Sequence, residues 1–353
     1  MQITTEMVKF SVFTEKSIVT DRKIIVLTPI KNEEWILETF LKAAEIYADV
    51  IIILDQNSTD SSKEIAKRYK KVEIHENNSH KFNEKERQNL LLDKARNHGS
   101  NNVLISLDAD EIFTPDFYSP ENLAWLQSLE IGSSICYDWA NIHWTKDKYW
   151  QSKMQPIIFI DNGQKNLDKK EFHRTRVPVV GNKKIIYNKQ TKVLHLQYIN
   201  KERLRSKHRW YQLHEFQENR DISFVHLYRK YHHMFGIKKN SYKKLPKDWE
   251  NYLTEIDHEI RCNDKSNGMF WWETEVLKIM ETIQPKDKAK IDLDFELNQV
   301  KHYSDSRQMK ITDKIIFMYL SLTQKLHGVK FKDNFIIYIN IRVVDYFVGK
   351  FWR

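Results

Sequence analysis

"LISLDADEI", residues 104–112, is an apolar strand that runs directly into three carboxylates, Asp108, Asp110 and Glu111. The apolar run has the length and composition of a buried strand. Acids clustered at its end repel one another unless positive charge sits among them. A divalent cation supplies that charge: hard ions such as Mg2+ or Mn2+ take carboxylate oxygens and share the rest of their shell with substrate phosphates. In Asp-x-Asp two carboxylates leave a strand and turn together, so both reach one ion or its ligands. The plainer alternative is that "DEIFTPDF" begins a helix whose first turn favours acids.

The same strand-then-polar pattern recurs upstream. "KIIVLTPI" (23–30) reads as a buried strand, and "KNEEWILETFLKAAEIYA" (31–48) as an amphipathic helix with Trp35, Ile36, Phe40, Leu41, Ala44 and Tyr47 at helical spacing. "DVIIILD" (49–55) is a second strand. "QNSTDSS" (56–62) is turn chemistry, in which Ser58, Thr59 or Asp60 can cap the helix "SKEIAKRY". "KVEIH" (71–75) gives a third strand and "NEKERQNLLLDKARNHG" (83–99) a helix that Gly99 can end. Alternation of this kind predicts an α/β fold with a doubly wound, mostly parallel sheet flanked by helices. Ligands bind beyond the carboxyl ends of such strands. The first strand ends in Thr28 and Pro29 with Glu33 nearby, the second in Asp55, and the fourth in Asp108 and Asp110, so these groups should meet in one cleft. Glycine-rich dinucleotide and phosphate-loop signatures are absent from the chain.

Composition bounds the rest. The 353 residues are 41% hydrophobic and 30% charged, which excludes a disordered chain, and eight glycines exclude long flexible linkers. The net charge of +9 suits anionic partners. No zinc finger, helix-turn-helix or RNP-like motif is present, so nucleic acid is not the expected partner. Cys136 and Cys262 match neither zinc spacing nor a disulfide framework, and a cytoplasmic setting is expected. No stretch approaches the ~20 apolar residues that cross a bilayer.

Together, "TPIKNEEWILETFL", "IIILDQNSTDSSKEIA", "NEKERQNLLLDKA" and "LISLDADE" resemble family 2 glycosyltransferases of the GT-A fold, in a bacterial subgroup with an "LDADE" motif. The similarity is good over roughly residues 22–125 and weaker in "EFHRTRVP" (171–178) and "KVLHLQYINKERLRSKHRWY" (192–211). The resemblance implies metal-dependent, inverting transfer of a sugar from a nucleoside diphosphate, expected to be UDP, to an acceptor hydroxyl of a surface glycan or glycolipid. It implies nucleoside contacts at Thr28, Pro29 and Glu33, base reading by Asp55, a nucleotide contact from Arg87, ribose, sugar or metal contact at Asp108, and metal binding at Asp110. His195, at the end of "KVLH", is where relatives often place a last metal ligand, and imidazole suits Mn2+ better than Mg2+; a hydrogen-bonded core histidine is the alternative.

An inverting displacement needs a base. Relatives carry it in a Glu-Asp pair some 80 to 100 residues beyond the metal motif, and this chain has no such pair there. Among Asp138, Asp147, Asp161 and Glu171, Asp161 and Asp138 are favoured. Arg203, Lys207 and Tyr211 share one helical face, facing either a phosphate or solvent. Three regions are expected: an N-terminal extension (1–21), a catalytic domain (22–220) and a mostly helical remainder (221–353). The apolar, basic "DNFIIYINIRVVDYFVGKFWR" (333–353) could dock on the core, on a second copy in a homodimer, or on a membrane surface beside a lipid-linked glycan acceptor. Two rival functions are a nucleotidyltransferase, disfavoured because "TPIKNEEW" lacks glycine, and a non-catalytic binding module, disfavoured by the intact acidic set.

Overall fold

Runs of Ile and Val, stiff at χ1 and suited to a pleated surface, make the first strands. In this computed structural model, residues 22–78, 83–165, 175–179, 184–257, 269–284, 287, 310–327 and 334–352 are described. The N-terminal extension expected over residues 1–21 lies outside them. The strands and helices follow as β1 (Ile24–Ile30), α1 (Leu37–Glu45), β2 (Val50–Asp55), α2 (Ser62–Ala66), β3 (Val72–Glu76), α3 (Glu84–Arg96) and β4 (Val103–Ser106). β4, β1, β2 and β3 lie side by side and parallel. Alternate residues serve opposite faces. Val26, Ile51, Ile53 and Ile105 join the core with Phe40 and Leu41 of α1, while Leu27, Ile52, Leu54 and Leu104 pack with Leu91, Leu92 and Ala95 of α3.

α1 begins six residues later than periodicity suggests. Asn32 sits in the left-handed region at φ 55°, and its Oδ1 accepts the Thr59 amide at 2.7 Å. Asn tolerates that backbone region well. The segment before α1 is thus a turn laced to the loop after β2.

The chain continues through β5 (Glu111–Phe113), α4 (Pro120–Ser128), β6 (Ser133–Ile142), β7 (Lys148–Gln151), β8 (Gln155–Ile160) and β9 (Lys184–His195). β8 runs antiparallel beside β4 and carries the sheet on through β6 to β7. β9 pairs with both β5 and β6, aligning His195 with Glu111 on one side and with Asn141 on the other. The expected α/β layer is therefore present as a mixed sheet with flanking helices.

The chain divides into two units. The first holds residues up to Ile199 together with Lys244–Asn263. It includes α7 (Lys247–Asp257), where Trp249 meets Tyr149 and Tyr252 shares a 2.9 Å hydrogen bond with Tyr118. The second unit is helical: α5 (Lys201–Glu218), α6 (Phe224–Tyr231), α8 (Trp271–Thr282), α9 (Ile311–His327) and α10 (Phe335–Phe351). Its core gathers Leu213, Phe216, Leu227, Trp272, Val276 and Leu320. Buried Arg229 ties three helices together, donating to Asp345 at 2.9 and 3.1 Å, to the Leu320 carbonyl at 2.8 Å, to Gln324 at 3.0 Å and to Thr323 at 2.6 Å. No helix among the described residues is long and apolar enough to cross a membrane.

Candidate metal centre

The parallel register brings the carboxyl ends of β4, β1 and β2 together. Asp55, wholly buried, ends β2. It accepts the Ser58 amide at 3.1 Å and lies 3.4 Å from the Lys63 ammonium, so the buried charge has partners. Gln56 follows it and accepts from Arg87 of α3 at 3.0 Å, which holds that guanidinium near the end of β2. Thr28 is buried in β1, and its Oγ1 has no hydrogen-bond partner among the described residues. Glu33 accepts the Trp35 indole N–H at 2.7 Å, and its own amide donates to Ser62 at 2.9 Å.

Beyond β4 the three carboxylates separate by role. Asp108 is partly exposed and accepts from Arg176 at 2.6 Å. Glu111 is fully buried and takes the same guanidinium bidentately, at 3.0 Å through Nη2 and by a second contact through Nη1. Burial raises the Glu111 carboxyl above the usual range, Arg176 opposes the rise, and Asp108 and Asp110 add to it. For Arg176 burial works against the charge, and Asp108 and Glu111 more than offset it, so the guanidinium stays protonated. Arg176 thus supplies part of the positive charge that the acids require. If all three carboxylates are ionised, three negative charges less one guanidinium leave two, the charge of one divalent ion.

Donor atoms of Asp110, Glu111 and His195 all lie within 4.8 Å of one another, and all three residues are buried. His195 Nε2 stands 3.9 Å from Asp110 Oδ1. Its tautomer follows from Asn141. The Asn141 Nδ2 donates to the Trp150 carbonyl at 3.2 Å and contacts Ser152 Oγ at 2.5 Å. A carbonyl cannot donate, so the amide orientation is fixed and Asn141 Oδ1 faces His195 Nδ1 at 3.0 Å as acceptor. Nδ1 therefore carries the proton in the neutral ring, and the Nε2 lone pair points toward the acids. Two hard carboxylates and one imidazole form a donor set that fits Mn2+, or Mg2+ with less use of the nitrogen.

Of the sequence candidates, Asp110 and His195 come together, and Asp108 stands beside them on Arg176. Thr28, Asp55 and Arg87 gather at the neighbouring strand ends. The two base candidates do not join the cluster. Asp161 follows β8, which runs antiparallel to β4, so it sits at the start of β4; its amide donates to the Asn102 carbonyl at 2.9 Å, and Arg96 holds its carboxylate at 2.9 and 3.1 Å. Asp138 pairs with Lys192 at 3.7 Å and lies three residues from Asn141 along β6, hence on the opposite face. Sequence reasoning gave Glu111 and Arg176 no role at the site. The available signal was an arginine in the quoted segment 171–178 and a third acid beside two others.

Residues 25–188 match the family model described as glycosyl transferase family 2. This segment belongs to that family. The glycosyltransferase domain so defined contains β1 to β8, the acidic cluster, Arg176 and the first part of β9, while His195 lies just beyond it. No curated protein matches the chain. Among solved structures, glucosyl-3-phosphoglycerate synthase from Mycobacterium tuberculosis, in complex with Mn2+, uridine diphosphate and phosphoglyceric acid, is 19% identical over 34% of this chain and 44% of that one, with a TM-score of 0.25. GalNAc-T7 with UDP, GalNAc and Mn2+ is 12% identical over 74% of this chain and 57% of that one, with a TM-score of 0.34. The glycosyltransferase domain and its surroundings thus span about half the length of the solved structures they match.

Proposed function

We propose that this chain transfers a sugar from a nucleoside diphosphate, UDP for preference, to an acceptor hydroxyl with inversion at the anomeric carbon. The observation that carries the reading is the Asp110, Glu111 and His195 cluster beside the strand ends of a family 2 glycosyltransferase domain. Asp110, Glu111 and His195 would hold the ion, with Arg176 and Asp108 beside them. A bound divalent ion stabilises the charge that builds on a leaving diphosphate. Asp55 would accept the imide N–H of uracil at the end of β2, and Arg87 offers a planar fork to phosphate oxygens. Calorimetry of UDP with and without Mn2+ tests this. Binding that needs Mn2+ and is lost in Asp110→Ala supports the reading, and equal binding of UDP by that variant would reject it. The configuration of the product, read by NMR at the anomeric proton, tests inversion. A nucleotidyltransferase would release pyrophosphate instead.

The acceptor is read as a glycan or lipid-linked glycan at an anionic membrane surface. In the second unit α9 exposes Ile311, Ile315, Met318 and Leu322, and α10 exposes Phe335, Ile336, Tyr346, Phe347 and Phe351. The exposed charges on these two segments are all cationic: Lys310, Lys314, Lys325, Arg342 and Lys350. Their acids, Asp313 and Asp345, are turned inward to Trp352 and Arg229. Apolar area with basic flanks fits anionic lipid. A second copy docked through the same face would set like charges against one another. Flotation with vesicles containing phosphatidylserine should capture the chain, and neutral vesicles should capture it poorly. A stable dimer that ignores vesicles would assign the face to a second copy.

A further inference from the structure

The helical unit has a small recess, open to solvent, lined by Arg205, His208, Arg209 and Gln212 of α5 with Tyr231 and Phe235. Arg209 is 4% exposed and Gln212 1% exposed. Both terminal nitrogens of Arg209 and the Nε2 of Gln212 are buried without a hydrogen-bond partner among the described residues. A guanidinium cannot shed its charge, so this burial is unfavourable until something accepts from it. The nearby groups are already engaged. Glu215 accepts from Lys230 and from the Tyr231 hydroxyl, both at 2.6 Å. His208 Nδ1 donates to the Tyr231 carbonyl at 2.9 Å, and Arg205 lies over the Phe235 ring at 5.7 Å. No carboxylate among the described residues lines the recess.

Every unpaired atom here is a donor, and two guanidiniums face one space. The complement is an acceptor with several lone pairs and about two negative charges. We propose that this recess binds a phosphoryl group, held by the Arg209 fork and the Gln212 amide, with Arg205 supplying further charge. The recess belongs wholly to the helical unit and needs no metal, so the inference does not rest on the transferase reading. The phosphoryl group can be the diphosphate of a nucleotide or the phosphate of a phosphorylated acceptor.

Thermal melting of the full, metal-free chain with inorganic phosphate and pyrophosphate, at ionic strength held constant with sodium chloride, tests the proposal. Wild type should show a saturable rise in melting temperature. Arg209→Met should melt at or above the wild-type temperature without phosphate, since an unpaired buried charge has gone, and should lose the phosphate response. Gln212→Leu should weaken that response. If Arg209→Met does not fold, Arg209→Lys provides the reading, with half-saturating phosphate expected to rise at least tenfold. Repeating the titration under saturating UDP and Mn2+ separates the sources: a vanished response identifies the donor's diphosphate, and a persisting one a phosphorylated acceptor. A wild type that responds to phosphate no more than to chloride overturns the proposal, as does a full response in Arg209→Met.

Discussion

His195 shows how a neighbouring side chain sets the orientation and tautomer of a ring. Asn141 is locked by donating to the Trp150 carbonyl, so its oxygen selects the Nδ1–H tautomer and turns Nε2 toward Asp110. Partners of this kind are commonly worth tenfold to a hundredfold in metal affinity. Asn141→Leu should therefore weaken Mn2+ binding by about ten- to a hundredfold, while Asn141→Asp, which keeps an acceptor at that place, should recover most of it. Nitrogen NMR of the His195 ring separates positioning from packing: the metal-free leucine variant should mix tautomers where wild type shows one. A single retained Nδ1–H tautomer with unchanged Mn2+ affinity would make Asn141 a packing residue only. Arg176 plays the complementary part. Replacing it with Met leaves Glu111 buried beside Asp108 and Asp110 without its cation, and loss of one partner from a buried pair costs about 3–5 kcal/mol. Urea unfolding of Arg176→Met should show a loss of that order without metal, and added Mn2+ should restore stability more than it does in wild type. Equal metal responses in the two proteins would mean that Arg176 does not offset the charge of the cluster.

At the scale of elements, close approach is as informative as charge. Gly236, just after α6, would place a Cβ 2.9 Å from the backbone carbonyl oxygen of Gln324 in α9. A backbone oxygen cannot rotate away, so α9 must shift. Gly236→Ala should cost about 1–3 kcal/mol, the usual range for overpacking, and hydrogen exchange should quicken in α9 more than in β1 or β2. Unchanged protection in α9 would mean that the contact is loose. Elements of this protein differed in how well sequence exposed them. β1, β2, β4 and the helices between them follow from short-range periodicity, because each strand is buried on both faces and each crossover helix on one. The delayed start of α1 was hidden, since it depends on Asn32 meeting the Thr59 amide from another loop. The placing of Asp161 away from the acids was hidden for a similar reason: it depends on β8 running antiparallel to β4, a direction that no local pattern records. The Arg176–Glu111 pair joins residues 65 apart, and the Glu111–His195 alignment depends on β9 lying between β5 and β6. Asp110 and His195, whose side chains lie 3.9 Å apart, stand out in the sequence because each ends an apolar stretch with a residue that such a stretch does not need.

Across the whole molecule, acid sensitivity should be uneven. Burial in the helical unit lowers His208 to about 3, His233 below its usual range, and His327, where Arg342 adds to the effect, to about 4. The sheet unit has His75 and His143, both lowered through burial and neighbouring lysines, but less far than His208. A buried neutral histidine binds fewer protons when folded than when unfolded. Its contribution to stability is complete above the unfolded value near 6.5 and is lost as pH falls from there toward the folded value. For His208 that window runs from about 6.5 to 3, with a slope of at most about 1.4 kcal/mol per pH unit. The helical unit should therefore loosen first on mild acidification. Hydrogen exchange at pH 7.5 and 5.5, corrected for intrinsic rates, should show α5, α6 and α9 losing more protection than β1, β2 and β4. His208→Asn keeps a donor close to the Tyr231 carbonyl and removes the titrating ring, so it should flatten the pH dependence in α5 and α6 even if it lowers stability at neutral pH. Parallel losses in the two units, or an unchanged slope in His208→Asn, would show that these histidines do not set the acid response.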